Sequence, residues 1–116
     1  MIIIYGIPNC DTTKKALLWL KKNKISHEFH DYKLKGISAK KLEEWIGIAG
    51  MDKIFNKNST TWKEMAANFS SVPTAATAVK LMQQHTSIIK RPIAEKNGAI
   101  LTGFKEKEYE TQFLSS

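Results

Sequence analysis

The chain of 116 residues has one cysteine, Cys10, and one arginine, Arg91. A lone cysteine cannot close an internal disulfide, so the fold does not depend on oxidation, and a reducing compartment, the cytosol, is expected. There is no C-x-x-C pair either. A dithiol mechanism within the chain is excluded, and any disulfide must form with another molecule. Long hydrophobic runs are absent. The opening M-I-I-I-Y run is far too short to span a membrane and has no basic region ahead of it, so neither a signal peptide nor a membrane partner is expected. No repeat, low-complexity tract or Pro/Gly-rich linker interrupts the chain. Net charge is +7, yet no lysine run is longer than two, and glutamates at 43–44, 106, 108 and 110 interleave the lysines. Most lysines read as solvated helix faces, and nucleic acid is not expected as a partner. His27, His30 and His85 have no metal-like spacing with Cys10, so no metal site is expected.

What is present suits one domain, 1–116, of ordinary composition: 42% hydrophobic and 25% charged. Residues 1–5, rich in isoleucine, read as a buried strand ending at Gly6. Residues 11–24 read as a helix with Ala16, Leu17 and Leu20 on one face, widened by Leu18 and Trp19. Residues 25–33 alternate as a second strand, which makes a β-α-β unit with parallel strands and a right-handed crossover. A helical insertion follows at about 38–86. Ser38 caps a helix with Leu42, Trp45, Ile46 and Ala49 on one face, and Gly50 ends it. Residues 51–70 predict short helices near 51–55 and 62–67, and Thr74 caps another with Ala75, Ala78, Val79 and Met82 on one side. Trp19, Trp45 and Trp62 read as packing residues. From Ile88 the pattern returns to strands, with Asn97-Gly98 as a hairpin turn, and residues 105–114 close as an amphipathic helix with Tyr109 and Phe113 inward. The expected fold is α/β: a thioredoxin-like βαβ…ββα order around a mixed four-stranded sheet.

The stretch G-I-P-N-C-D-T-T puts Cys10 at the mouth of the first helix. Unpaired backbone N–H groups and the positive end of the helix dipole favour a thiolate there, the reactive form of cysteine. Thr12 and Thr13 offer hydroxyls, Lys14 a positive charge, while Asp11 opposes an anion. Pro8 and Gly6 shape a tight loop that can leave the sulfur exposed. The plainer alternative is an inert buried residue, against which stand the polar neighbours Asn9, Asp11, Thr12 and Thr13. Of the 18 basic residues 17 are lysine, so Arg91 stands out as a candidate for its planar, two-pronged donor geometry. It precedes Pro92, where a cis bond is an option. The plain alternative is a solvated Arg91 and a proline that begins an edge strand.

Y-G-I-P-N-C-D-T-T-K-K-A, F-H-D-Y-K at 29–33, I-K-R-P at 89–92 and L-T-G-F-K at 101–105 together resemble the arsenate-reductase-like family of the thioredoxin superfamily, in order and spacing over essentially the whole chain. The nearest branch is the YffB-like one, beside the Spx-type regulators. The resemblance implies a catalytic cysteine at Cys10 and a cis-proline at Pro92 preceded by an active-site arginine, Arg91. It also implies a glutathione-dependent thiol reductase with no bound cofactor, glutathione being the co-substrate of a mixed disulfide on Cys10. Asn9, Thr12, Thr13, Lys14, Lys57, Pro92 and Lys105 are the expected substrate-binding residues. Lys57 and Lys105 stand where arsenate reductases of the family use further arginines. Lysine cannot fork onto an oxyanion, so arsenate is not the expected substrate. The rival reading is a Spx-like adaptor that binds RNA polymerase or another protein without catalysis.

Overall fold

Ile2–Gly6 (β1) lies in the middle of a four-stranded sheet of order β2-β1-β3-β4 in the computed structural model, which describes residues 1–69 and 73–114. Its partners are His27–Asp31 (β2), parallel, and Ile93–Lys96 (β3), antiparallel. Ala99–Thr102 (β4) pairs antiparallel with β3. The sheet belongs to the first of two compact units, residues 1–35 with 91–116. Its core joins Ile2, Ile4 and Ala94 of the sheet to Ala16, Trp19 and Leu20 of the first helix and to Tyr109. β-Branched residues suit a strand buried on both faces, which is why a run of isoleucines occupies the central position. The mixed sheet and the βαβ…ββα order make this an α/β, thioredoxin-like fold.

Asp11–Lys22 (α1) is two residues shorter than the periodicity predicts. Lys24 turns to φ +56°. Its N–H then bonds the carbonyl of Lys21, and that of Ile25 bonds the carbonyl of Leu20, closing the helix end with a left-handed residue. On its buried face Trp19 is covered, whereas Leu18 is 65% exposed and does not widen the face as expected. β2 also stops early. The Oδ1 of Asp31 accepts the N–H of Lys33 at 2.8 Å, and the chain turns into a short helix, Tyr32–Lys35 (α2). The return to strand comes later than the hydrophobic pattern predicts. Thr86–Ile88 form a 3-10 turn, Ile89 makes one isolated bridge to Phe55, and β3 begins only after Pro92, which has no N–H to give a ladder. Asn97 and Gly98 both adopt positive φ, as a two-residue hairpin turn requires.

The second unit, residues 36–90, is helical. It holds Ala39–Ala49 (α3), Met51–Ile54 (α4), Thr60–Ala66 (α5) and Ala75–Gln84 (α6). Ser38, Ser59 and Thr74 each cap a helix by accepting a backbone N–H. Gly50, at φ +90°, separates α3 from α4. α3 packs on α4 and α6, burying Leu42, Trp45, Ile54, Val79 and Met82. Phe55, Trp62 and Phe69 form a chain of ring contacts. The short helices of residues 51–70 fall close to their expected places, except that Ser70 lies outside the described residues. After α6 and the 3-10 turn, the chain re-enters the first unit at Arg91 and, beyond the hairpin, ends in Glu106–Tyr109 (α7) and a wide turn, Glu110–Leu114.

Candidate active site at the mouth of helix α1

The register brings three segments to one end of the sheet. Gly6 of β1 pairs with Asp31 of β2, and Tyr5 pairs with Ile93 at the start of β3. The loop from β1 to α1, the end of β2 and the Arg91–Pro92 peptide therefore meet there. That peptide is cis. Pro92 is buried, and its carbonyl accepts the N–H of Gly103 at 2.7 Å, tying the turn before β3 to the end of β4.

Cys10 is the N-cap of α1, in extended conformation. Its N–H bonds the carbonyl of Ile7 at 3.3 Å, and its own carbonyl accepts the N–H of Lys14 at 2.9 Å. Its side chain is half-buried. The sulfur makes no tight capping bond, but it faces the donors of the first helical turn. Burial pushes the thiol up. Hydrogen bonding from the Thr13 hydroxyl, from the N–H groups of Thr13 and Thr12 and from the Arg91 side chain outweighs burial, and leaves Cys10 below the ordinary cysteine value. The structure thus gathers Cys10, Thr12, Thr13 and Arg91 into one constellation. Asn9 is exposed in the turn just before the sulfur.

Thr13 explains Gly6. Its Oγ1 is buried without a close hydrogen-bond partner, and its hydroxyl acts on the Cys10 sulfur. A Cβ added at Gly6 would lie 2.8 Å from that oxygen and 3.1 Å from the Thr13 methyl, inside contact distance. Glycine is needed for close approach of the strand end to the helix. Gly6→Ala is expected to push Thr13 off the sulfur and raise the Cys10 pKa. Alkylation rate against pH reads this: the native protein should inflect below the free-thiol value of about 8.5, and Gly6→Ala nearer to it. The sign carries over to stability. Between its folded and unfolded pKa values Cys10 is ionised only in the folded state, so stability rises with pH across that window and falls as pH drops through the folded pKa. Cys10→Ser lacks the increment.

Lys14 is exposed and is not among the groups that lower Cys10. It lines an open apolar groove of about 520 Å³ with Leu17, Leu18, Lys21, His27 and Phe29. Lys105 is exposed at the N-cap of α7. Lys57 belongs to the second unit, where its Nζ lies 3.1 Å from the Oδ1 of Asp52.

Two residues escaped the sequence reading. Gly6 was legible as a strand end and part of a tight loop, but not as a contact of Thr13, which is tertiary. Tyr32 looked like the tail of a strand. It is 1% exposed, its ring packs against those of Tyr5 and His30, and its buried hydroxyl has no hydrogen-bond partner. Burial, and next Tyr5, push its phenol well above the ordinary range, while the charge of Arg91 pulls it back. An unsatisfied buried hydroxyl costs on the order of 1–3 kcal/mol.

A thiol held low at a helix N-terminus, beside a cis-proline and its arginine in a thioredoxin-like sheet, defines the class: proteins with the fold of the thiol oxidoreductases. The ArsC family model matches residues 5–112, and the chain belongs to that family. It is 41% identical over 113 residues, 97% of this chain and 99% of the relative, to an uncharacterised protein of Haemophilus influenzae. It is 26% identical over 110 residues, 93% of this chain and 83% of the relative, to the global transcriptional regulator Spx 1 of Bacillus cereus. Among solved structures, one named YffB protein superposes with a TM-score of 0.90 at 37% identity, covering 96% of this chain and 97% of that one. No helix among the described residues is long and apolar enough to cross a membrane.

Proposed function

We propose that the protein is a cytosolic, glutathione-dependent thiol reductase with Cys10 as nucleophile. The observation that carries this reading is the Cys10 sulfur, lowered in pKa by Thr13, Thr12 and Arg91 at the N-terminus of α1. The Cys10 thiolate attacks the disulfide of a glutathionylated substrate. A sulfur–sulfur bond forms between Cys10 and glutathione, and the substrate leaves as a thiolate that takes a proton from water. A second glutathione thiolate then attacks the mixed disulfide, releasing oxidised glutathione and restoring the Cys10 thiolate. External resolution is required because no second cysteine exists. Arg91 holds a carboxylate near the sulfur, Asn9, Thr12, Thr13 and Pro92 line the approach, and the exposed lysines Lys14, Lys57 and Lys105 offer point charges that glutathione's carboxylates tolerate. The test is glutathione-dependent reduction of a glutathionylated peptide. It should proceed with the native protein and be lost in Cys10→Ala.

A second reading follows from the likeness to Spx 1: a regulator that acts by binding a protein partner such as RNA polymerase. Under that reading Cys10→Ala would keep its partner and no thiol turnover would be measurable in either form.

Arsenate discriminates within the enzyme reading. A charged hydrogen bond contributes about 1.5–3 kcal/mol, so lysine in place of two forked arginines should weaken an oxyanion at least about tenfold. Arsenate reduction by the native protein is expected to be weak beside its thiol–disulfide activity, and Lys57→Arg with Lys105→Arg should increase it. Coupled arsenate turnover measures both. Efficient arsenate reduction by the unaltered protein would contradict the assignment.

A further inference from the structure

We propose that the groove between α1 and β2 is a docking site for an acidic, amphipathic segment of a protein partner, which sets apolar side chains against Leu17, Leu18 and Phe29 and carboxylates on Lys14 and Lys21. The inference goes beyond the thiol chemistry and does not rest on it, since no group that acts on the Cys10 sulfur lines the groove. The groove measures about 520 Å³. Leu17 and Phe29 are partly buried against the core and form its apolar floor, and Leu18 stands 65% exposed beside them. A single exposed leucine is ordinary, but one that extends a concave apolar floor makes a surface that another chain can cover. β2 is an edge strand, so no strand among the described residues closes the groove on that side.

Charge selects the occupant. From Thr12 to His27 the sequence has five lysines and no aspartate or glutamate. On α3 and α7, by contrast, glutamates stand among the lysines. A groove between α3 and α6 is bordered by Glu43, and one beside α7 by Lys107 together with Glu108, whereas the charged side chains bordering the α1–β2 groove are lysines. Glu28, the next acid along the chain, alternates to the opposite face of β2 from His27 and Phe29. Lys14 and Lys21 are separated by about 10.5 Å along the axis of α1, at a rise of about 1.5 Å per residue. A partner helix with carboxylates two turns apart, and apolar side chains between them, matches that spacing. A second copy of this chain would set lysines against lysines, in a protein that already carries +7. A lipid surface is met by protruding apolar side chains, and here Leu18 protrudes while Leu17 and Phe29 lie partly buried.

Amide chemical-shift titration of the native protein with a synthetic amphipathic helix, leucine along one face and glutamate on the others, tests this. Saturable shifts confined to α1 and β2 are expected. Leu18→Glu and Lys21→Glu, both at exposed positions, should each weaken binding at least about tenfold. Lys80→Glu, an equal change of net charge at an exposed position on α6, should leave binding within about twofold of native. Where Leu18→Glu alters the fold by circular dichroism, Lys21→Glu decides. No saturable binding, shifts centred on other elements, or an equal loss in Lys80→Glu would overturn the proposal. Equal binding of polyglutamate would also overturn it, by reducing the site to charge alone. So would peptide binding untouched by Leu18→Glu and Lys21→Glu when those same variants abolish binding to vesicles of phosphatidylglycerol, which would make the face a membrane surface.

Discussion

Cys10→Ser should abolish thiol–disulfide exchange, lowering its rate by at least about a thousandfold, with the fold retained. The substitution changes one atom at a half-buried cap position. Serine is itself a good N-cap, so α1 should not suffer. What is lost is the nucleophile. A thiol beside Thr13, Thr12 and Arg91 is drawn below its ordinary pKa, whereas a hydroxyl in the same place stays protonated at neutral pH and is no partner for a disulfide. The measurement is glutathione-dependent reduction of a glutathionylated peptide, with circular dichroism to confirm folding. Residual activity within tenfold of native would mean that chemistry at Cys10 is not the source of turnover.

Trp45→Ala should cost about 3–5 kcal/mol of stability, a large part of the roughly 5–15 kcal/mol that holds a typical domain together. Trp45 is fully buried on α3 and is among the largest side chains so enclosed. Removing its indole leaves a cavity among helices that meet through few long elements, since α4 and α5 are only 4 and 7 residues long. Denaturant unfolding of native and variant proteins measures the difference. A loss under 1 kcal/mol would show that the helical unit does not depend on this residue.

The parts of the fold that announce themselves in the sequence are those set by local chemistry. The isoleucine run made β1 legible, Ser38 and Thr74 gave helix starts, Gly50 a helix stop, and Asn97-Gly98 the hairpin turn. Boundaries set by tertiary or turn geometry were not legible. Lys24 ends α1 by adopting a left-handed conformation for which lysine has no preference. Asp31 ends β2 with a side-chain bond that the alternation of 25–33 hides. Isoleucines 88 and 89 look like a strand because they are buried, although one is in a 3-10 turn and the other in a single bridge. The same division holds at the site. Cys10 with Thr12 and Thr13 could be read from their place at a helix mouth. The closeness of Gly6 to Thr13, and the unpartnered hydroxyl of Tyr32 near Arg91, depend on strand register, which one sequence does not display. Lys14 borders an apolar groove and Lys57 pairs with Asp52, neither of which the sequence pattern displays.

Whether the fold activates Cys10 as a nucleophile toward glutathione disulfide is measured by intact mass after timed exposure to oxidised glutathione at pH 6.5, with the protein folded and, in parallel, unfolded in urea. One glutathionyl adduct on Cys10, removable by a thiol reductant and forming faster in the folded protein, is expected. Equal rates in both states, or no adduct on the folded protein while its thiol remains free, would contradict it.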